Sequence, residues 1–253
     1  SYGVPEDRIF YTGFPLPKEN IGSRLEVVKS DIAARLVNLD PDNNYRRLYE
    51  KTIKAKLGKH YRTKSDHPLT LMYAVGGAGA QKEIGAKVIG SLKDKIKKHE
   101  IRLVLVAGLH TDLEQYFLDT IEKNGLNSEF GTYVNVLFSL KKVDLFAQFN
   151  SWLRETDLLW TKPSELCFYT ALGLPIIVAP PLGSHEMMNK DWLIRMGSGV
   201  AQENPACTHQ WLFEWLHKGS FAEAAWQGFT EAPKFGTYNI EKIIFDRKSR
   251  MRF

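Results

Sequence analysis

The stretch from Asp157 to Asn189 restricts the possible folds more than any other part of the chain. It opens with a short apolar run, Asp157 to Trp160. A polar turn follows, Thr161-Lys162-Pro163-Ser164-Glu165, and a helix-length segment then runs to Leu172 and stops at Gly173. A second apolar run, Pro175 to Ala179, ends in Pro180-Pro181, and the loop Leu182 to Glu186 opens another helix. That is strand, loop, helix, strand, loop, helix. Strands joined through a helix lie parallel in one sheet. Both loops then stand at the carboxyl ends of strands, where open α/β sheets bind ligands.

The rest of the chain repeats this rhythm. Leu69 to Val75 reads as a buried strand, followed by the small residues Gly76, Gly77, Ala78, Gly79 and Ala80 and a helix from Gln81 to about Lys98. Further strands are expected at Leu103–Ala107, Val134–Phe138 and Gly197–Val200, with helices at Asp112–Lys123 and Val143–Leu153. Strands recur about every 25–35 residues, the spacing of βαβ units in a doubly wound, Rossmann-like parallel sheet flanked by helices. One α/β domain over residues 1–253 is the economical expectation.

Ahead of the sheet, Ile9 to Thr12 is a short strand candidate, ended by Gly13-Phe14-Pro15-Leu16-Pro17. Ser23 is placed to N-cap a helix, with Glu26 completing a capping box. Leu25, Val28, Ile32 and Leu36 give that helix one apolar stripe, and Tyr45 to Leu57 forms a second, strongly basic helix. These two helices, at about residues 20–65, read as an insertion or cap. Residues 205–253 read as terminal helices, Pro205–His217 and Phe221–Trp226, with an irregular tail from Gly228 apart from an apolar Ile240–Phe245. The opening residues read as the middle of a protein.

Composition narrows the class. The chain is 43% hydrophobic and 25% charged, with no apolar run near the ~18 residues of a membrane span. The first ten residues lack the apolar core of a secretory signal, so a cytoplasmic location is expected. Cys167 and Cys207 are too few for a disulfide framework or a metal cage, which implies reduced, buried thiols and no metal. The net charge is +5, supplied in part by Lys51, Lys54, Lys56 and Lys59 and by Lys93, Lys95, Lys97 and Lys98. Both groups fall on helices, so they are either solvated faces or contacts for an anionic partner, a membrane surface or a phosphorylated substrate. No basic motif interleaved with aromatics is present, so nucleic acid is not expected as a partner.

Three loops carry chemistry. Small residues at 76–80 let a ligand approach the backbone, and the following helix amino end suits a phosphate. The same residues also suit tight helix–strand packing. The dinucleotide fingerprint fails, because it needs glycine where Lys82 stands, and the Gly-Lys-Ser/Thr of a P-loop is absent. In the second loop, Lys162 and the hydroxyls of Thr161 and Ser164 suit phosphate or sugar oxygens, and Glu165 suits a ribose diol; a capped helix start explains Ser164, Pro163 and Glu165 equally. In the third, Gly183, Ser184, His185, Glu186 and Asn189 open a helix. Glu186 and Asn189 share a helix face and suit adjacent hydroxyls, while His185 is either a proton shuttle, a phosphate donor or a satisfied polar residue. Together the loops suit a nucleoside diphosphate bearing a sugar.

The series TGFPLP, VGGAGAQ and TKPSE…ALGLPIIVAPPLGSHEMMN resembles the carboxyl-terminal, donor-binding half of GT-B glycosyltransferases, in particular the peptidoglycan GlcNAc transferase and the monogalactosyldiacylglycerol synthases. The resemblance extends from Gly3 to about Val200. It implies a UDP-sugar donor, with Gly76 to Gln81 against the diphosphate and Phe138 and Leu140 bordering the uracil. Lys162, Pro163, Ser164 and Glu165 would face ribose and phosphates, and Glu186 and Asn189 the sugar hydroxyls. No metal or cofactor is implied. Acceptor binding and the catalytic base would belong to an amino-terminal half outside these residues, the acceptor being a lipid or a glycan and the enzyme free in the cytoplasm or peripheral at a membrane. The sequence departs from the family pattern in two places. The family's helix glutamate, five residues before the Gly of G-L-P, falls here on Phe168, in a loop about two residues shorter; Glu165 is the candidate replacement. Gly183-Ser184-His185-Glu186 holds one residue more than the family's G-Q-E. The alternatives are a nucleotide-sugar 2-epimerase, a non-catalytic nucleotide-sugar-binding module and a scaffold whose loops only pack.

Overall fold

The computed structural model describes residues 3–74 and 81–250, with side chains described as far as residue 245. Six strands form one parallel sheet: β1 (Thr70–Ala74), β2 (Arg102–Gly108), β3 (Val134–Phe138), β4 (Leu158–Thr161), β5 (Ile176–Val178) and β6 (Gly199–Ala201). Their order is β3-β2-β1-β4-β5-β6. The chain winds outward from β1 to β3, crosses back, and winds outward from β4 to β6. The switch point between β1 and β4, where the winding reverses, is the crevice in which such sheets take ligands. Leu71 to Ala74 pair in register with Leu158 to Thr161, so the two loops at this crevice leave the sheet side by side.

The strands form where apolar runs are continuous. Every residue of β1 and of β4 is buried, the pattern of a sheet covered on both faces. On one side, α4 (Lys82–Lys97) buries Val88, Ile89, Leu92 and Ile96, and α5 (Thr111–Lys123) buries Leu113, Phe117 and Ile121. A Cβ at Gly85 would stand 2.9 Å from both the Phe117 and Tyr73 rings, so glycine is what lets α4 lie this close. The crossover from β3 places α6 (Lys142–Glu155) on the opposite face, since such connections are right-handed. α6 packs with α1 (Lys18–Ile21) and α2 (Glu26–Asn38), while α9 (Ser220–Glu231) packs against α2 and against the segment joining β4 to β5. α2 and α3 (Asn44–Leu57) contribute Val28, Ile32, Leu36, Ile53 and Leu57 to the same core as the sheet. α7 (Ser184–Met196) and α8 (Thr208–Lys218) flank β6 in sequence.

Several expectations need correction. Ile9–Thr12 is not a strand: a single 3-10 turn, Glu6–Arg8, precedes it, no strand lies beside it, and Ile9, Phe10 and Tyr11 are exposed. Ser23 does not cap α2. The cap position is Leu25, in the left-handed region at φ 62°, and the Glu26 carboxylate accepts from the Arg24 amide at 2.8 Å. The segment ending at Leu172 is a 3-10 helix, Glu165–Leu172. A 3-10 helix rises ~2.0 Å per residue against ~1.5 Å in an α-helix, so it carries a short connection farther along the sheet. The tail is not irregular. α10 (Gly236–Arg250) docks on the 12–16 segment, where Thr237 Oγ1 donates to the Leu16 carbonyl at 2.6 Å and Asn239 Nδ2 to that of Thr12 at 2.9 Å. A Cβ at Gly236 would lie 2.3 Å from the Phe14 carbonyl, which explains a glycine at the start of a helix.

Among the described residues, no helix is long and apolar enough to cross a membrane. Both cysteines are free, and burial pushes the Cys167 thiol up to about 12.

Candidate functional site

The site is built where β1, β4 and β5 end. The described side chains there tie one loop to another. The residues Gly76, Gly77, Ala78, Gly79 and Ala80 lie outside the described residues. The description resumes at Gln81, which holds the cap position of α4 in the left-handed region, φ 70°. Its carbonyl accepts from the Tyr73 hydroxyl at 2.8 Å, and its side-chain amide donates to the Pro180 carbonyl at 2.9 Å. Gln81 therefore links the loop after β1 to the loop after β5.

The second and third loops are joined twice. Lys162 Nζ lies 2.8 Å from Glu186 Oε1, and the second carboxylate oxygen of Glu186 accepts from the Leu182 amide at 2.7 Å. Asn189 Nδ2 donates to the Pro163 carbonyl at 3.1 Å. Glu186 is 2% exposed, although it stands in the first turn of a surface helix. Burial alone would raise its pKa. The Leu182 amide and the Lys162 ammonium outweigh that effect and hold the carboxylate below its ordinary range. The first turn of α7 begins at Gly183, which has no side chain with which to cap it. Helix amides left uncapped in this way are free to meet an anion.

Thr161, whose hydroxyl the sequence placed beside Lys162 as suited to phosphate or sugar oxygens, is set unusually. It is the last residue of β4, is buried, and its hydroxyl finds no hydrogen-bond partner. A buried orphan hydroxyl is costly; those of Thr170 and Ser198 share this state, but only that of Thr161 stands at the switch point. The signal available in the sequence was a hydroxyl closing an otherwise apolar strand, Leu158-Leu159-Trp160-Thr161.

Other expected residues stand apart. Glu165 is exposed at the start of the 3-10 helix, and no described hydrogen bond holds it. Ser164 makes no side-chain cap, although its amide donates to the Lys162 carbonyl at 2.8 Å. Ser184 and His185 are exposed, with the His185 ring lying over Gly183. Phe138 ends β3 half-buried, and Leu140 beyond it is 76% exposed. Both lie at the β3 edge of the sheet, two strands from β1. Phe168, where the related pattern has a glutamate, stacks on Phe14 at 4.3 Å, and the Trp192 ring of α7 meets Phe14 edge-on at 5.5 Å. An aromatic contact with the 13–17 segment thus occupies the place of that carboxylate.

A family model described as a domain of unknown function (DUF6938) matches residues 46–148. A search of the curated proteins finds no match. Among solved structures, the chain is similar to UDP-GlcNAc 2-epimerase from Neisseria meningitidis bound to UDP-GlcNAc, with a TM-score of 0.51 and 13% identity over 98% of this chain and 57% of that one. MurG from Acinetobacter baumannii gives a TM-score of 0.47 and 17% identity, covering 72% of this chain and 51% of that one. A glycosyltransferase from Rickettsia africae gives 0.45 and 12%, covering all of this chain and 60% of the other. The chain spans about half the length of these structures. At such identities the likeness is one of fold: a Rossmann-like parallel sheet flanked by helices, corresponding to one half of a GT-B protein, as the resemblance implied.

Proposed function

We propose that the chain is the donor-binding half of a GT-B glycosyltransferase and that its ligand is a UDP-sugar. The observation that carries this reading is the joining of three loops at the switch point, through Gln81 to Pro180, Lys162 to Glu186 and Asn189 to Pro163. In this reading, the diphosphate lies against Gly76 to Gln81 and the first turn of α7, the Thr161 hydroxyl and Lys162 meet phosphate or ribose oxygens, and Glu186 and Asn189 meet the sugar. Amides and a lysine aimed at the departing diphosphate stabilise the charge that develops there. We assign that task to them without a metal ion. The base that activates the acceptor lies in a second half, and the acceptor is a lipid or a glycan met in the cytoplasm or at a membrane surface.

A second reading is a nucleotide-sugar 2-epimerase. It is supported by the fold likeness to the Neisseria enzyme, at a TM-score of 0.51. Such an enzyme yields the epimer or the free sugar without an acceptor, so product analysis on the full-length protein separates the two.

The test is calorimetric titration of this chain with UDP, GDP, ADP and dTDP, with and without magnesium. Selective binding of UDP that does not depend on magnesium is the expected outcome. Gly79→Asp should abolish most of that affinity, by placing a negative charge against the phosphates; unchanged affinity would remove the glycine-loop assignment. If all four nucleotides are silent with this chain and with the longer protein, the reading fails.

A further inference from the structure

A cavity of about 450 Å³ lies between the carboxyl-terminal half of α4 and the turn that leads into α8. It is separate from the site described above. Ser91 in its wall is ten residues along α4 from Gln81, or ~15 Å at helical rise. Lys87, Lys93 and Lys98 border it, and none of the three has an ion-pair partner among the described residues. The fourth lysine, Lys95, is engaged by Glu100 and lies over the Phe213 ring. Asp94 is the only carboxylate in the described lining. The three lysines are exposed and without ion pairs among the described residues, so with Asp94 as the lone carboxylate the rim of the hollow carries a net positive charge.

Two details shape the hollow. Ser91 Oγ accepts from the His209 amide at 3.0 Å and lies 3.0 Å from His209 Nδ1. The serine hydroxyl and the imidazole thus share a hydrogen bond in the wall of the hollow. Gly90 also lines the cavity. Glycine inside a helix is costly. At Gly85 packing demands it, but a Cβ at Gly90 would meet only the Asn124 side chain, at an ordinary 3.5 Å. Packing therefore does not require glycine at position 90, which borders the hollow.

We propose that this cavity binds a multiply charged phosphate group, held by Lys87, Lys93 and Lys98 and admitted by Gly90. Neither the donor reading nor its failure bears on this site, since the two lie on different parts of α4. The phosphate belongs either to a small soluble molecule or to a lipid headgroup, and the test has an arm for each.

The test is an amide NMR titration of the whole chain with inorganic pyrophosphate at low ionic strength. A second arm measures sedimentation with vesicles of phosphatidic acid in phosphatidylcholine, against phosphatidylcholine alone. Shifts should cluster at Gly90, Ser91, Lys98 and His209. The double variant Lys87→Gln, Lys98→Gln should bind about tenfold more weakly or worse, the usual result of removing charge-assisted hydrogen bonds. Gly90→Leu should also weaken binding while keeping every charge, with its melting curve showing that the fold is intact. Binding to phosphatidic acid vesicles alone, with the same sensitivity to both variants, identifies a lipid headgroup and supports the proposal. Three results would overturn it: shifts confined to Gln81–Glu83 and Leu182–Glu186, equal affinity in the wild type and both variants, or silence in both arms.

Discussion

The two edges of the sheet are made differently. At the amino edge, buried charge is fully engaged. Arg35 of α2 is 1% exposed and donates to the carbonyls of Thr156 at 2.7 Å, Leu172 at 2.7 Å and Leu153 at 3.1 Å. Asp157, also buried, accepts from the Thr70 amide at 2.8 Å and Asn38 Nδ2 at 3.0 Å, and faces His67 Nε2 at 3.2 Å. At the carboxyl edge, the Thr161 hydroxyl is buried without a partner, α7 begins uncapped, and Leu140, Leu182 and Met188 stand exposed. The amino edge uses its polar groups to join β1 and β4 to α2 and to the connections around them. The carboxyl edge ties its loops together but leaves the Thr161 hydroxyl and the first turn of α7 open, while the amino edge has one orphan of its own, the buried Ser198 hydroxyl before β6. The difference separates residues that hold the crevice together from residues available to a ligand in it, and it forecasts opposite outcomes for mutations only a strand's length apart.

The largest effect expected is at Arg35. Arg35→Leu removes every donor to three buried carbonyls, and orphaned buried acceptors cost ~1–3 kcal/mol each. A total loss of roughly 3–5 kcal/mol is expected from urea unfolding, in the range found when one side of a buried polar network is removed. A loss below ~1 kcal/mol would mean that water replaces the guanidinium, and the contrast between the edges would fail there. Asp157→Asn comes next. The amide can still accept from Thr70, but it removes the negative charge facing His67. About 2–3 kcal/mol should be lost by the same measure, with UDP affinity in the surviving folded protein unchanged.

These two residues also show what a sequence conceals. The carboxyl edge was legible because its signals are local: the apolar runs at 70–74, 158–161 and 176–178 stop at glycine, proline or polar turns. A loop at the end of such a run needs no distant partner to be recognised. Arg35, beside the stripe Val28, Ile32, Leu36, carries no such local signal, because its carbonyl acceptors lie more than a hundred residues away. α10 was missed for a related reason. Ile244 and Phe245 are exposed, so its hydrophobic pattern does not mark the docked face, and its anchors are backbone carbonyls of Thr12 and Leu16. Of the site itself, Lys162, Glu186 and Asn189 were readable as residue types in a loop. Their direct mutual engagement was not, because pairing across loops depends on how the two strand ends are set side by side.

His67 offers a subtler test of the amino edge. Its side chain is nearly buried, with Asp157 at Nε2 and Asp66 at Nδ1, at 3.2 Å and 3.0 Å. Carboxylates at both ring nitrogens demand two N–H donors, which only the imidazolium has. Burial favours the neutral ring and the nearby Arg35 charge does too, but the hydrogen bond and charge of Asp157 and the hydrogen bond to Asp66 prevail and raise the pKa. A folded pKa above the unfolded value of about 6.5 contributes stability that is fully present below pH ~6.5 and is lost as pH rises through the folded value. Unfolding free energy should therefore fall on the order of 1 kcal/mol on the alkaline side of that window, the scale of a hydrogen bond to a charged group. His67→Gln should flatten that part of the profile. A wild-type profile that is level or rising from pH 6.5 upward would show that the ring is neutral in the folded protein.

The smallest effect on stability should come from the carboxyl edge, and it is there that stability and binding part. Glu186→Gln keeps an oxygen for the Leu182 amide and loses only the charge opposite Lys162, whose side chain is 23% exposed. Glu186 is buried but Lys162 keeps contact with water, and the glutamine still satisfies the Leu182 amide, so a loss of about 1 kcal/mol in urea unfolding is expected. The same substitution changes the lysine's electrostatic surroundings: with Glu186 neutral, Lys162 carries an uncompensated charge at the switch point. Affinity for UDP alone should hold or rise, because phosphate oxygens meet a freer ammonium. Affinity for the UDP-sugar should fall about tenfold relative to UDP, since a charged acceptor for sugar hydroxyls has been replaced by a neutral one. An equal change for both ligands would place Glu186 outside the sugar's reach. A stability loss like that of Arg35→Leu would make this edge as structural as the other.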